Sequence, residues 1–505
     1  MIRLMSSAEP RQLDALLAGF ATPTNMDLSL TNMSLDSRQT GPGSAFLAIP
    51  GSRVHGAQYI GDASARGASV ILLDALYQED VKEVDQIPVV RVERLAEHAS
   101  EIAGRLFGEP SKGLWVAGVT GTNGKTSCAW WLQQLLNCSG IPSASLGTLG
   151  IAEKNEITTQ EGELTTADAV ELQRNLASLK KKGLESVVME ASSHGLSQHR
   201  VDGIAMDLAI LTNLTQDHLD YHGNLDAYAG AKGRLFNLPG LAQSLINIDD
   251  TFGRQLVSLS PNSVESFTYS LKDPDADFYV LHGASYPGLV AQLQTPWGEI
   301  SLSNPDIFGD YNLANLICVA AAAAIKGVDA DTISEAVQRL TPVPGRLQRV
   351  SSQIHDIDVV VDFAHTPDAV TKTLSALKTA TRGSLRVLLG AGGDRDLQKR
   401  PLMTQAALDH ADFLVITNDN PRSESPEAIA QDLMLGVRDK GHAKVSLDRG
   451  EAIADAIAQA KPGDCIAILG KGHEEYQIFG ERKLPFSDVK VAREALARRS
   501  MEGLQ

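Results

Sequence analysis

The sequence predicts an α/β protein of three domains. These are a small N-terminal α/β domain over residues 1–110, a central P-loop ATPase-like domain with a mostly parallel sheet over 111–344, and a C-terminal Rossmann-like, doubly wound domain over 345–505. Three observations carry this reading. The chain has 505 residues, and at roughly 150 residues per domain that makes about three domains. Short apolar runs ending in glycine or a polar residue alternate with helical segments, as in parallel sheets covered on both faces. Two breaks marked by proline and glycine, Gly108-Glu109-Pro110-Ser111 and Pro342-Val343-Pro344-Gly345, divide the chain.

Composition narrows the class. Hydrophobic residues make up 43% and charged residues 21%, the balance of an ordinary globular protein. Lys and Arg number 45 against 62 Asp and Glu, a net charge of −17, which argues against a general binder of nucleic acid or anionic membranes. A local basic pocket for a phosphorylated small molecule remains compatible with it. Cysteines stand at 128, 138, 318 and 465 with no CxxC pair. They read as reduced thiols of a cytoplasmic protein, with neither a disulfide framework nor a zinc site. No secretory signal is expected at the N-terminus. The longest apolar stretch, Leu316 to Ile325, is too short to span a bilayer.

In the first domain, Leu13 to Leu17 has helical spacing and Leu35-Asp36-Ser37-Arg38 is a polar turn. Ala45 to Gly51, Ala68 to Leu73 and Val89 to Val92 read as strands, and Leu95 to Leu106 as a helix. The second domain opens on the apolar run Leu114 to Ala117, a glycine loop Gly118 to Ser127, and an Ala-rich helical segment Ala129 to Leu136. Strands are predicted at Ser186–Glu190, Leu208–Thr212 and Ser244–Ile248, with a helix from Asp168 to Leu179. Glu190, Thr212-Asn213 and Asn247/Asp249 therefore fall at strand ends, where ligands gather in such sheets. Residues 264–304 alternate in short runs and suggest an antiparallel excursion. The third domain places strands at Val359–Asp362, Leu385–Gly390, Phe413–Thr417 and Cys465–Gly470.

The chemistry centres on Gly121-Thr122-Asn123-Gly124-Lys125-Thr126-Ser127. Between a strand and a helix, such a loop turns backbone N–H groups toward a phosphate at the helix N-terminus. Lys125 can then reach the terminal phosphates and the Thr126 hydroxyl a Mg²⁺ shell. Val119 departs from the strict pattern, which has glycine there. Glu190 at a strand end suits a hard cation, although a capping carboxylate would look the same. The run Thr212 to Gly223 is dense in Asp and His and favours a hard-metal or substrate role over zinc, while each His alone reads more readily as structural. Lys232, read alone in Ala229 to Phe236, is a solvated lysine on an exposed helix. In the third domain three strand-end loops, Gly390 to Asp396, Thr417 to Arg422 and Gly470 to Glu475, together can surround a charged small ligand, with arginine offering a fork for a carboxylate.

With these motifs in view, the chain resembles the Mur ligase family of ATP-dependent amide-forming enzymes, and within it the branch that adds diaminopimelate. Gly121 to Thr126 is shared with folylpolyglutamate synthase. Ala191 to Gly195, Asp362-Phe363-Ala364-His365-Thr366-Pro367-Asp368 and Asp419-Asn420-Pro421-Arg422 are more specific. The resemblance implies that Gly121 to Ser127 hold ATP, with Asn312 and Asn315 at adenine and Arg346, Asp362 and His365 reaching the nucleotide. It implies Mg²⁺ held by Thr126, Glu190, His218 and a carbamylated Lys232, reversing the stand-alone reading of that lysine. Lys125, Glu190, His218 and Lys232 form the implied catalytic set. Ser37 and Ser52, in Ser52-Arg53-Val54, would bind the uridine part of UDP-N-acetylmuramoyl-L-alanyl-D-glutamate. Thr165, Thr166, Ser192, Gln198 and Arg200 would hold its muramoyl dipeptide. Arg395, Asp419, Asn420, Pro421, Arg422, Gly470 and Glu474 would receive meso-diaminopimelate. Ala167 stands where many relatives have proline. The implied reaction passes through an acyl phosphate, with closure of the third domain excluding water. It implies a cytoplasmic monomer that inserts in no membrane and binds no nucleic acid. Two rival readings are folylpolyglutamate synthase, which gives no reason for 110 residues before the loop, and a non-catalytic NTP switch, which leaves the Arg395, Arg422 and Glu474 loops without a ligand.

Overall fold

The computed structural model describes residues 8–51, 54–78, 83–154, 156–158, 164–285, 288–351 and 356–502. By packing, the chain forms two compact units, one of Met1–Leu281, Leu293–Ile300 and Asn315–Ala336, the other of His282–Gln292, Ser301–Ala314 and Val337–Gln505.

The first unit carries two main sheets beside the short antiparallel pair Arg11–Gln12 and Ser29–Leu30. Strands Asn32–Ser34, Ser44–Ala48, Val70–Asp74 and Ile87–Val92 run parallel in that order, with Glu83–Val84 antiparallel at the edge. The strand period of two sends alternate side chains into two cores. Leu47, Leu72 and Val92 join helix Leu95–Leu106 in one, while Phe46, Ile71 and Leu73 pack on Ile60 and Ala63 in the other. That N-terminal layer is bolted to the larger one. Ala169 and Val170 of helix Ala169–Lys181 belong to its core. Arg174 Nη2 donates to Asn32 Oδ1 at 2.9 Å and to the Met33 carbonyl at 2.7 Å. Gly203 lies so close to helix Leu95–Leu106 that a Cβ there would sit 2.4 Å from the Glu101 nitrogen. The break predicted at 108–111 is thus a compact turn, Pro110–Gly113, whose Ser111 Oγ accepts from the Ala205 N–H.

The larger sheet has seven parallel strands side by side: Ser143–Gly147, Ser186–Glu190, Trp115–Thr120, Leu208–Leu211, Gln243–Asn247, Glu265–Ser270 and Phe278–Ala284. After Trp115–Thr120 the chain first builds to one side and later crosses to the other, so a crevice opens at that strand's carboxyl end. The register sets Glu190 opposite Val119 and Leu211 opposite Thr120, which brings two strand ends beside the glycine loop. The antiparallel excursion expected over 264–304 is corrected in its first half. Glu265–Ser270 pairs parallel with Gln243–Asn247, and Phe278 opens the next strand parallel to Tyr269. Alternation in the second half records one solvated face of Leu289–Thr295 and Gly298–Asn304, neighbours in the sheet that only Pro296 and Trp297 separate along the chain.

In the second unit, Asp358–Asp362, Cys465–Leu469, Leu385–Leu389, Phe413–Ile416 and Ala443–Val445 are parallel in that order, with Gln348–Arg349 antiparallel at one edge. Val387 and Leu389 face one core and Leu388 the other, each strand being buried on both sides. No helix among the described residues is long and apolar enough to cross a membrane.

Arg449, fully buried, makes a paired contact to Asp488 at 2.7 Å through Nε and 2.7 Å through Nη2, and also donates to the Leu469 and Asn418 carbonyls. It ties two strand-end loops to the last helix, Asp488–Glu502. Arg449→Met alone strands a buried carboxylate and should lower the stability of this unit by about 3–5 kcal/mol, read as a lower urea midpoint. Arg449→Met combined with Asp488→Leu should recover most of that loss.

Candidate active site

The loop begins where strand Trp115–Thr120 ends and closes onto helix Lys125–Cys138, which starts four residues earlier than the apolar pattern alone suggested. Gly124 takes φ +89° at the helix entry, and a Cβ there would lie 2.4 Å from Asn315 Oδ1. Only glycine meets both demands. The loop is also braced by the neighbouring strand end. Asn213 Oδ1 accepts from the Asn123 N–H at 3.0 Å, and Thr212 Oγ1 donates to the Asn123 carbonyl at 2.6 Å. Asn247 Nδ2 in turn donates to the Thr212 carbonyl at 2.7 Å. These strand-end residues anchor the loop.

Two lysines converge on one backbone oxygen. Lys125 Nζ donates to the Gly121 carbonyl at 2.9 Å and to that of Thr122 at 3.0 Å, and Lys232 Nζ donates to the same Gly121 carbonyl at 2.7 Å. Lys232 is 1% exposed, so the solvated lysine of the stand-alone reading is corrected. Helix Leu225–Gly233 is apolar on the face carrying Tyr228 and Ala231, and it turns Lys232 inward with them. Its Nζ lies 4.5 Å from the Tyr228 ring centroid. Burial first, and then the charge of Lys125, hold the Lys232 ammonium well below the ordinary lysine range, opposed by Asp217. The Tyr228 hydroxyl meets Thr122 Oγ1 at 3.1 Å, and burial pushes its ionisation up.

Glu190 is buried at its strand end. Its Oε2 accepts from Thr126 Oγ1 at 3.0 Å and from Thr148 Oγ1 at 3.2 Å, and its Oε1 from the Thr148 N–H at 2.8 Å. Thr165 Oγ1 is 3.2 Å from Thr148 Oγ1. Thr166 Oγ1 donates to the Glu190 carbonyl at 2.7 Å and accepts from the Ser192 N–H at 2.9 Å. Arg200 donates to the Thr166 carbonyl and to Gln198 Oε1, and Gln198 Nε2 donates to the Tyr221 hydroxyl. Thr165, Thr166, Ser192, Gln198 and Arg200 are thus one connected polar wall running from Glu190. Burial lowers the Arg200 ionisation.

A hydroxyl and a carboxylate in contact form the donor set that a hard divalent cation takes. Among the described residues no group of three or more His, Cys, Asp and Glu is placed to hold a metal. A cation at Thr126 and Glu190 therefore fits only as one completed by phosphate and water oxygens, as Mg²⁺ is with nucleotides. His218 stands at φ +52° before a short helix, in a cluster of rings: His194 at 4.9 Å and Tyr228 at 6.3 Å between centroids. Ser37 lies in the N-terminal layer, donating to Asp62 Oδ2 at 2.6 Å. Ser52 falls outside the described residues. Asn315 packs on the loop through Gly124 and receives the Cys128 thiol.

The second unit has its own constellation. Asn312 Nδ2 donates to the Phe308 carbonyl at 2.9 Å. Asp362 is buried and accepts from the Leu347 N–H at 2.6 Å, the Ala364 N–H at 2.8 Å and Thr373 Oγ1 at 3.1 Å. Burial raises its ionisation, while Arg346 and these donors oppose the rise. Arg346 lies over the Phe363 ring at 4.4 Å, and His365 Nδ1 is 2.9 Å from the Phe363 carbonyl.

Arg422 adopts φ +54°. Its N–H donates to the Ile478 carbonyl and its carbonyl accepts from the Gly480 N–H, so the hairpin of Tyr476–Phe479 and Arg482–Pro485 clamps it. Its Nη1 donates to the Gly393 carbonyl at 2.9 Å. Arg422 is half-buried. Gly393 is needed for close approach: a Cβ would sit 1.8 Å from the Pro421 carbonyl. Asp419 and Asn420 are buried, with Gly470 against Asp419, and Asn420 Nδ2 donates to Glu474 Oε2 at 2.8 Å. Arg395 is exposed on the adjoining loop. The sequence reading passed over Thr148, Tyr228 and Lys471. Thr148 sits in no motif. Lys471 adjoins the predicted Gly470, yet one lysine between glycines gives no sign of being buried.

Comparison with known proteins matches three consecutive stretches: the Mur ligase family catalytic domain over residues 29–106, the Mur ligase middle domain over 119–323, and the Mur ligase glutamate ligase domain over 345–472. The chain is 38% identical over 493 residues to the UDP-N-acetylmuramoyl-L-alanyl-D-glutamate--2,6-diaminopimelate ligase of Coxiella burnetii, covering 96% of this chain and 99% of that one. It is 43% identical over 472 residues to the ligase of the same description from Pseudomonas aeruginosa, covering 93% and 96%. A solved structure of a ligase so described is similar with a TM-score of 0.69 at 33% identity, covering 97% of this chain and 100% of that one.

His473 yields a prediction from its surroundings. Burial, reinforced by the charges of Arg346 and Lys471, pushes its imidazole down to about 4 from an ordinary 6.5. Between those values the unfolded chain binds more protons than the folded one, so the second unit loses stability as pH falls from 6.5 toward 4. His473→Gln should flatten that part of a plot of unfolding midpoint against pH.

Proposed function

This chain belongs to the Mur ligase family, and we propose that it is the ATP-dependent ligase that adds meso-diaminopimelate to UDP-N-acetylmuramoyl-L-alanyl-D-glutamate in peptidoglycan precursor synthesis. The observation that carries the reading is the likeness, over nearly the whole chain, to ligases of that description, together with an amino-acid constellation that offers a cation at Arg422 and an anion at Glu474. The assignment gives the uridine nucleotide to residues 1–110, ATP to 111–344 and diaminopimelate to 345–505. It places the enzyme in the cytoplasm.

The dipeptide carboxylate attacks the γ-phosphorus of ATP, forming an acyl phosphate and releasing ADP. The amine of diaminopimelate then attacks the acyl carbon, giving a tetrahedral intermediate that expels phosphate. Phosphoryl transfer of this kind depends on positioning and charge neutralisation. Loop N–H groups from Gly121 to Ser127 cradle the phosphates, and Lys125 moves from the Gly121 and Thr122 carbonyls onto them. Thr126 and Glu190 would hold Mg²⁺, which supplies charge neutralisation at the phosphates. The wall of Thr165, Thr166, Ser192, Gln198 and Arg200 holds the dipeptide near Glu190, with Arg200 as its cation.

Lys232 acts as a carbamate. A buried amine held below the ordinary lysine range gives up its proton, and so becomes a nucleophile, more readily than a solvated one. It adds to CO₂ with loss of one proton, giving an anionic oxygen group where a second cation beside Lys125 would be unfavourable.

A coupled assay of ADP release tests the function. Turnover should require both the UDP-muramoyl dipeptide and an amino acid, with diaminopimelate strongly preferred to lysine. Equal turnover with folate and glutamate would overturn the reading. Arg422→Ala should cut kcat/KM for diaminopimelate by roughly 10- to 100-fold, the loss of one charged pair, and narrow the preference over lysine. The ATP KM should change little. Lys232→Ala should lose nearly all activity, and short carboxylic acids should restore part of it by supplying the missing anion. Full activity in this variant would remove the carbamate from the mechanism.

A further inference from the structure

Lys471 has no part in the reaction as derived so far, yet it is a buried cation held on several sides. It follows Gly470 at the end of strand Cys465–Leu469, and its side chain is fully buried. Its Nζ lies 2.9 Å from Glu474 Oε2, 3.0 Å from Asn420 Oδ1 and 3.3 Å from Asp419 Oδ1. The Tyr476 ring closes another side at 5.6 Å. An ammonium carries three protons, and here each has an oxygen. For stability alone, an apolar side chain serves as well as a buried ion cluster.

The contacts run on from one side chain to the next. Asn420 Oδ1 accepts from Lys471 and from the Ile478 N–H at 3.1 Å, which fixes the amide so that Nδ2 faces Glu474. Glu474 Oε2 is thereby held by two donors, Lys471 and Asn420. Its Oε1 has no hydrogen bond among the described residues. The formal charge of Asp419, Glu474 and Lys471 together is −1, enough for one ligand ammonium. Without the lysine it is −2.

We propose that Lys471 is a positioning residue for the amino-acid substrate: it locks Asn420 and Glu474 so that Glu474 Oε1 receives the ammonium at the far end of diaminopimelate. This rests on the function proposed above and adds to it the residue that sets the geometry of the anionic half of the pocket. A lysine elsewhere in the loop could balance charge, but only a buried one at this spot can hold both loops at once.

The test is steady-state kinetics of ADP release on the full chain, with each substrate varied in turn. Lys471→Met keeps side-chain length and removes the donors. It should raise the KM for diaminopimelate roughly 10- to 100-fold, with KM for ATP and for the nucleotide dipeptide within about twofold. Because the lysine acts through Glu474, Lys471→Met added to Glu474→Gln should cost less than about threefold more, a non-additivity that a merely structural role does not give. Lys471→Arg keeps the charge and is the second variant should methionine prevent folding. A planar guanidinium cannot serve these three oxygens in the same way, so it too should raise the diaminopimelate KM. An unchanged diaminopimelate KM in whichever variant folds, or an equal rise in all three KM values, overturns the proposal. A wild type that rejects diaminopimelate overturns the functional reading and this inference together. A wild type that uses it, with the variants unaffected, overturns this inference alone.

Discussion

The meeting of two lysines on the Gly121 carbonyl is the interaction around which the first unit is arranged. Lys125 reaches it from the helix that follows the loop, and Lys232 from a helix about 100 residues later. Two ammonium groups this close repel, and one of them is almost wholly out of water. The arrangement is eased when Lys232 gives up its proton, the direction in which its burial and the charge of Lys125 both push. A strand at the middle of a parallel sheet makes this possible. It delivers the loop to a place walled by neighbours on both sides, Glu190 on one and Thr212-Asn213 on the other.

Much of this was legible in the chain itself. Strands buried on both faces announce themselves as continuous apolar runs, and Ser186–Glu190 and helix Leu95–Leu106 fall within the residues the pattern marked. The glycine loop was legible because its backbone conformation demands particular residue types. Three things were not. The direction of strands over 265–284 is set by sheet neighbours rather than by the residues themselves. The burial of Lys232 depends on which face of its helix meets the loop, a tertiary fact that a nearly uniform small-residue segment does not encode. The clamp on Arg422 comes from a hairpin more than 50 residues on, and its backbone hydrogen bonds carry no side-chain signature.

The second unit solves a different problem with a recurrent device. Doubly wound sheets end in loops, and loops are mobile unless something holds them. Here buried cations hold them. Arg449 joins the Asn418 and Leu469 carbonyls to Asp488. Arg400 joins Glu424 and Asp432 to the Gly392 carbonyl. Lys471 joins Asp419, Asn420 and Glu474. Each spans at least two loops, and each is fully desolvated, where an ion pair is geometrically strict and little screened by salt.

The choice of cation at these positions follows the task. Arginine presents a planar fork, and Arg449 and Arg400 each use it to grip a carboxylate with paired contacts, while the remaining N–H groups take the Asn418 and Leu469 carbonyls in Arg449 and the Gly392 carbonyl and Asp432 in Arg400. Those two lie behind the loops and brace them. Lysine is a point donor with three protons, suited to gathering separate oxygens into one small space. Lys471 stands where the gathered oxygens belong to Asp419, Asn420 and Glu474, the residues to which the proposed function assigns the amino acid. A fork there would take both Glu474 oxygens for itself. A point donor takes one and leaves the other, and that remaining oxygen is the one the proposed reading offers to an ammonium group.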